Sequence, residues 1–271
     1  MDATLPVALT IAGSDSGGGA GIQADLKTFH AFGVFGTSAV TAVTVQNTVG
    51  VRGVHPIPVP IVRAQIDAVV EDLSPAAVKT GMLATKALVE AVADALREHD
   101  LRRYVLDPVM VASSGDRLLD EDAEQAVAEG LVPRAALVTP NTHEAAILTG
   151  LTVRTADDLR AAARALVERG AGAALVKGGH LEGAEAVDLY WDGHEERVWR
   201  RGRLSTRHTH GTGCTLSAAV AAGLAHGRPL VEAVDAAVDF VARAIASAPG
   251  LGAGHGPVNH FVAAERSRPP R

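Results

Sequence analysis

Short runs of consecutive apolar residues alternate along this chain with longer stretches in which apolar residues recur every three or four positions. The first pattern suits strands buried on both faces, the second helices with one apolar stripe. Strands are predicted over residues 6–11, 38–46, 77–82, 104–106, 136–138 and 173–177. Helices are predicted over 22–32, 61–73, 84–99, 121–131, about 142–149 and 156–169. Residues 51–60, rich in valine and proline, read as an edge strand or as a flap outside the main sheet. Two runs, 187–191 and 196–204, joined across Asp192-Gly193, read as a hairpin. One helix then runs to about residue 226 and another spans 230–246. From about residue 258 the periodicity is lost, and the tail to 271 is expected to be poorly ordered.

Strands that alternate with helices predict an α/β fold, a single doubly wound and mainly parallel sheet with helices on both faces. No repeat or linker divides residues 1–271, so one domain is expected. Such sheets take ligands beyond the carboxyl ends of their strands. Polar and glycine residues fall at those ends repeatedly: Gly13 to Ser16, Gln46, Gly81, Asp107, Asn141 and Lys177.

Composition narrows the classes. With 47% hydrophobic residues in 271, the chain can bury a large core. A net charge of −6 leaves no basic footprint, which argues against nucleic acid as a partner. A lone cysteine excludes a disulfide framework and suits a reducing cytosol. The first residues lack the basic region of a signal peptide, and no apolar run is long enough for a membrane span. A cytoplasmic protein is expected.

The stretch His210-Gly211-Thr212-Gly213-Cys214-Thr215, followed by an apolar run, reads as a glycine turn opening a helix. Backbone N–H groups at such a helix start form an anion hole, and the dipole there would also favour a thiolate at Cys214. Equally, Cys214 could be a small buried hydrophobe.

Gly19-Ala20-Gly21-Ile22-Gln23-Ala24 matches a dinucleotide fingerprint in form. That fingerprint needs an acidic residue about twenty positions on, and no Asp or Glu lies between Asp25 and Asp67. Nicotinamide binding is therefore not expected. There is no Gly-Lys pair for a P-loop, no second histidine to complete H-E-x-x-H after His143-Glu144, and no G-x-S-x-G elbow. His208 and His210 read as loop residues rather than a zinc site. Asn141 with Glu144 fits a helix capping box, or else oxygen ligands for hydrated Mg²⁺. Lys177 at a strand end could meet phosphate as a point charge or lie on the surface. Asp107 could cap its loop or act near a metal.

Taken together, the segments resemble one family. These are Ala8 to Asp15, Gly21 to Thr28, Val45-Gln46-Asn47-Thr48, Lys79-Thr80-Gly81-Met82-Leu83, Leu106-Asp107-Pro108-Val109-Met110, Thr139-Pro140-Asn141, Lys177-Gly178-Gly179-His180 and Thr209 to Thr215. In this order they resemble the hydroxymethylpyrimidine/phosphomethylpyrimidine kinases of thiamine biosynthesis, members of the ribokinase superfamily. The resemblance implies a ribokinase-like three-layer fold and ATP-dependent phosphorylation of a pyrimidine hydroxymethyl group, then of the monophosphate. It implies that Gly211, Thr212, Gly213 and Cys214 form the anion hole, with Cys214 where many relatives carry an aspartate base. Asn141 and Glu144 match a magnesium motif. Gln46, Gly13, Asp25, Met82 and Val109 match pyrimidine-side positions, and Lys177, Thr139 and Asp107 nucleotide-side ones. ATP and Mg²⁺ are the cofactors implied, and a homodimer is the assembly implied. Pyridoxal or pyridoxine kinase is the alternative activity, and a binding protein that kept the fold without catalysis is a further one.

Overall fold

The computed structural model describes residues 5–110, 119, 121–179, 181 and 183–264. His180 and the tail beyond residue 264 lie outside the described residues. The chain runs β1 (Val7–Ser14), α1 (Gly21–Ala31), β2 (Phe35–Asn47), β3 (Gly50–Pro56), α2 (Val59–Leu73), β4 (Ala77–Thr80), α3 (Lys86–Glu98) and β5 (Tyr104–Leu106). It continues with α4 (Glu121–Ala126), β6 (Leu137–Val138), α5 (Thr142–Thr149), α6 (Ala156–Glu168), β7 (Ala174–Lys177), β8 (Glu185–Trp191) and β9 (Glu196–Gly202). Helices α7 (Thr212–Ala225) and α8 (Leu230–Ala246) close the order.

All nine strands join one sheet in the order β3-β2-β1-β4-β5-β6-β7-β8-β9. The six strands from β2 to β7 in that order pair in parallel, and antiparallel pairing is confined to the two edges. The chain moves outward from β1 to β3, then returns to β4 and proceeds the other way. The order therefore reverses between β1 and β4, the place where a doubly wound sheet opens a crevice.

Each face of the sheet has its own core. On one, Phe29, Phe32, Leu216, Val234 and Phe240 bring α1, α7 and α8 against the strands. On the other, Ile66, Leu88, Val127, Leu131 and Leu159 do the same from the α2 to α6 side. The Phe32 and Phe240 rings meet edge to face, 5.0 Å apart. Helix α7 is buried at every position from Thr215 to Ala225. It packs on α1, α8 and three strands, which explains its near-continuous run of small apolar residues. At Gly223 a Cβ would sit 2.7 Å from that of Ala233, so α8 approaches closer than alanine would permit.

Several boundaries differ from the sequence reading, each for a physical reason. Residues 51–60 are not one segment. The edge strand ends at Pro56, and Val59 and Pro60 start α2, whose first turn has no use for a proline N–H. The helix expected over 121–131 widens into a π-helical turn over Val127–Leu131 and passes straight into a 3₁₀ turn over Val132–Arg134, where Pro133 sits in a first turn that needs no N–H from it. The stretch expected to be disordered from about 258 is packed as far as Ala264. Val258 and Ala264 are buried, and the Asn259 N–H donates to the Ala244 carbonyl at 3.0 Å. Its apolar residues are too few to show a period, yet they fill the end of the α8 core.

The fully buried Phe240 anchors that core. Phe240→Ala is expected to lower stability by about 3–5 kcal/mol, read from the urea midpoint with the slope unchanged.

Candidate active site

The carboxyl ends of the parallel strands open into one cleft of about 950 Å³, a size that suits a small ligand. Four neighbouring strands deliver one charged group each. Lys79 comes from β4, Asp107 follows β5, Asn141 and Glu144 follow β6, and Lys177 ends β7.

Lys79 is fully buried, and its ammonium donates to both Asp25 oxygens at 2.9 and 3.0 Å. It also lies 4.0 Å from Asp107 Oδ2. Burial opposes its charge, but Asp25 holds its pKa well above the usual lysine value, with help from Cys214 and Asp107. Lys177 Nζ reaches Asp107 Oδ1 at 3.4 Å. Burial disfavours its charge too, yet Asp107 and Glu144 raise its pKa. Among the described residues, Asp107 Oδ2 has no hydrogen-bond partner although it is buried. Burial pushes the Glu144 carboxyl up to about 7, against the pull of Lys177, with the Asp107 charge adding to the rise. Three carboxylates thus share two ammonium groups.

Above this row lies the start of α7. Gly211 has φ +79° and leads into the helix, and a Cβ there would overlap the Gly19 carbonyl oxygen. Only glycine lets the turn and the β1–α1 loop touch. The Thr212 N–H is spent on the Thr209 carbonyl, so the outward donors of the first turn are those of Gly213 and Cys214. A Cβ at Gly213 would stand 3.0 Å from Lys177 Nζ, which places that ammonium directly beneath the turn.

The turn is held from its other side. Asp15 is buried, with Oδ1 accepting from the Gly17 N–H at 2.8 Å and Oδ2 from the Gly19 and Ala20 N–H groups at 3.0 and 2.8 Å. His210 Nε2 lies 2.9 Å from the same Oδ2. Burial acts to raise the Asp15 pKa, but His210 and the backbone donors overcome it and hold it below the usual carboxylate range. Next to this pair, the Gln46 side chain is fixed by Thr44 at 3.2 Å and by His210 at 3.4 Å. A bulge between Val45 and Gln46 re-aims the strand at this point.

Of the residues expected from sequence, Gly13, Gln46, Met82, Val109, Asp107, Asn141, Glu144, Lys177, Gly211, Thr212, Gly213 and Cys214 all line the cleft. Two do not. Asp25 has no exposed surface, because it faces inward from α1 and both its oxygens are taken by Lys79 and Thr10. It is the counter-ion beneath the site rather than a wall of it. Thr139 is also fully buried, with its hydroxyl donating to the Leu106 carbonyl at 3.3 Å. Both alternatives for Asn141 and Glu144 bear on the geometry. The capping box is formed, with Asn141 Oδ1 accepting from the His143 and Glu144 N–H groups and Glu144 Oε2 from the Asn141 N–H. Asn141 Oδ1 thus caps α5 by accepting from two N–H groups. Among the described residues, the buried carboxylate oxygen without a hydrogen bond is that of Asp107.

The state of Cys214 also differs from expectation. Burial pushes its thiol up to about 12; Lys79 and the Gly21 N–H pull it down, but Asp107 and Asp25 add to the rise. A helix start alone would favour the thiolate. Here burial opposes it, and the neighbouring carboxylates add to the opposition.

Comparison with known proteins bears on the chain as a whole. The profile of the family described as phosphomethylpyrimidine kinase matches residues 15–259. The chain belongs to this family. A hydroxymethylpyrimidine/phosphomethylpyrimidine kinase of Rhizobium meliloti is 54% identical over 258 residues, covering 94% of this chain and 97% of the relative. Among solved structures, an ADP complex of Bacillus subtilis pyridoxal kinase superposes with a TM-score of 0.89 at 40% identity, over 95% of this chain and 98% of the other. A phosphomethylpyrimidine kinase from Clostridium difficile gives 0.80 at 40% identity, over 89% and 99%. The protein is a kinase with the ribokinase-like fold of these neighbours.

Sequence reasoning did not assign Lys79, Asp15 or the His210 contact to the site of this kinase. A signal for Lys79 existed: it is one of four lysines in the chain and interrupts a short apolar strand. Nothing local marks the Asp15–His210 pair, whose members are 195 residues apart.

Two predictions follow from the charge row. Lys79→Met is expected to cost about 3–5 kcal/mol by leaving Asp25 buried and unpaired, and Asp25→Asn in the same chain to recover most of it in urea unfolding. Because only the thiolate reacts, alkylation of Cys214 by iodoacetamide should be slow at neutral pH. Its rate should keep rising about tenfold per pH unit past pH 9 without a plateau.

Proposed function

We propose that this cleft transfers the γ-phosphoryl group of ATP to the hydroxymethyl oxygen of 4-amino-5-hydroxymethyl-2-methylpyrimidine. The monophosphate so formed is phosphorylated again, as a step of thiamine biosynthesis. The observation that carries the reading is the juxtaposition of two half-sites in one cleft. A glycine turn with a lysine beneath it stands beside a small compartment bounded by Gly13, Gln46, Met82 and Val109.

The compartment suits a flat heteroaromatic ring. A Cβ at Gly13 would stand 3.3 Å from Met82 Sδ, so the bare glycine lets the Met82 thioether close against the end of β1 and form one wall. Gln46 can donate and accept at once, as an aminopyrimidine edge requires. On the far side, Leu204, Leu216, Val238, Val241 and Ile245 offer an apolar slot for a nucleotide base.

In the transfer, the bond from the substrate oxygen to phosphorus forms as the bond to the β-phosphate bridge breaks, and ADP leaves. The Gly213 and Cys214 N–H groups and the Lys177 ammonium meet the charge on the moving phosphoryl group. Cys214 is the residue placed to take the hydroxyl proton. Its thiol state in the free protein means it can act as a base only when bound ligands offset the neighbouring carboxylates.

Among the described residues, no group of three His, Cys, Asp or Glu side chains forms a ready metal site. The donor set nonetheless fits Mg²⁺, which takes one or two carboxylates and completes its shell with phosphate and water. Asp107, whose buried Oδ2 has no hydrogen-bond partner among the described residues, and Glu144, whose carboxyl burial pushes up to about 7, are the residues that would hold it. When bound, the ion would neutralise charge on the phosphate oxygens. A cytoplasmic homodimer is part of this reading, supported by the resemblance to the family; no described helix is long and apolar enough to cross a membrane.

Pyridoxine phosphorylation is the second reading, favoured by the superposition on Bacillus subtilis pyridoxal kinase. A coupled assay with both acceptors decides between them. The pyrimidine should have a kcat/KM at least about tenfold above pyridoxine, a difference of about 1.4 kcal/mol in transition-state binding. The reverse order would overturn the pyrimidine reading. Cys214→Ala is expected to lower kcat by about 10²–10⁴ with the KM for ATP nearly unchanged, whereas full activity would return this cysteine to a packing role.

A further inference from the structure

The residues after α8 do more than end the chain. Thr48, at the turn between β2 and β3, accepts at its carbonyl from the His255 N–H at 2.7 Å and at its hydroxyl from the Gly254 N–H at 3.3 Å. Two residues on, the Gly256 carbonyl accepts from the His210 N–H at 3.1 Å, and Pro257 lies beside His210 as a parallel bridge. Pro257 also presses on the β1–α1 loop, since a Cβ at Gly19 would stand 3.0 Å from its ring. Beyond it, His260 Nε2 lies 3.0 Å from the Thr215 hydroxyl in the first turns of α7.

These contacts leave no slack. A Cβ at Gly254 would overlap the Thr48 carbonyl oxygen and lie 2.9 Å from Val49 Cα. A Cβ at Gly252 would overlap the Thr48 side chain, and one at Gly256 the His208 ring. Three alternate positions are thus pressed against other segments. The segment joins two places that matter separately. Thr48 is two residues past Gln46 in the pyrimidine compartment, and His210 directly precedes the phosphate turn.

We infer that residues 252–257 act as a positioning strap, which fixes the separation between Gln46 and the 211–214 turn and so sets the balance between the two successive phosphorylations. The inference rests on the function proposed above. The two acceptors hold the same ring but differ in reach. In the first the attacking oxygen is on the ring's hydroxymethyl group; in the second it is one phosphoryl group farther out. A rigid span between ring and turn cannot suit both equally. Widening the span favours the longer acceptor.

Gly252, Gly254, Gly256 and Pro257 do not line the cleft, so they act through Gln46 and the turn, while His255 reaches the cleft wall. Gly254→Ala must push the Thr48 backbone away and widen the span. Thr48→Ala keeps the carbonyl contact but removes the hydroxyl that accepts from Gly254, loosening it in the milder way. The test measures kcat/KM for the hydroxymethylpyrimidine and for its monophosphate, with the melting temperature of each variant. In Gly254→Ala the ratio of second to first reaction should rise about tenfold, a fraction of the 10²-fold that a 1 Å misplacement can cost. In Thr48→Ala it should rise about threefold on the same reasoning, with a melting temperature close to that of the parent. A structural role alone would slow both reactions in proportion. An unchanged ratio in Thr48→Ala, or in both variants where Gly254→Ala folds, overturns the strap. Failure of the parent protein to phosphorylate either pyrimidine would instead overturn the proposed function, and the strap's role with it.

Discussion

Asp25, Asp107 and Glu144 share two ammonium groups, Lys79 and Lys177, under a single turn of backbone, and this imbalance governs the site. Nothing in the row is solvated enough to ignore its neighbours: Asp25 and Lys79 have no exposed surface, and Asp107 is 2% exposed. Burying one carboxylate too many is expensive unless a proton or a cation offsets it. Among the described residues an Asp107 oxygen has no hydrogen-bond partner, and burial, with the Asp107 charge adding to it, drives the Glu144 carboxyl up to about 7. Burial keeps the cysteine above the row a thiol, and Asp107 and Asp25 add to that effect against the pull of Lys79.

Strand order is what assembles this row. β4, β5, β6 and β7 are neighbours in the sheet and consecutive in the chain, so each crossover deposits its terminal polar residue beside the last. The reversal between β1 and β4 then leaves space for the glycine loop, and Asp15 ties that loop to His210 across 195 residues of sequence. The Gly211 turn, the Gln46 compartment and the charge row are therefore brought together by strand order and by contacts between distant segments rather than by one local motif.

That division explains what could be read from the sequence. Tyr104–Leu106, Thr142–Thr149 and Leu230–Ala246 appear where the sequence predicts them, the first and last by their apolar pattern and the second by its capping box and the left-handed Gly150 that ends it. The turn at Gly211, and Gln46 and Lys177 at strand ends, were legible because doubly wound sheets place ligands there. Asp25 and Thr139 share the sequence signature of the lining residues, but facing inward or outward at a strand or helix end is decided by packing. For Asn141 the capping rule was local and correct, while the oxygen that remains available was Asp107's, visible only once Lys79 and Lys177 were in place. The folded segment after α8 carried too few apolar residues to register, since backbone contacts to Thr48 and His210 hold it rather than a stripe.

Central to the proposed function is a carboxylate surplus that a divalent cation would relieve. It is tested most directly by the affinity of a non-hydrolysable ATP analogue, measured by calorimetry with and without Mg²⁺, in the parent protein and in Asp107→Asn. Removing one buried negative charge should tighten metal-free binding by about tenfold, well within what a single charge is worth at close range in a partly buried site. It should also remove most of the further tightening that Mg²⁺ gives the parent. If Mg²⁺ strengthens binding equally in both proteins, and metal-free affinity is unchanged, the surplus at Asp107 is not what draws the ion.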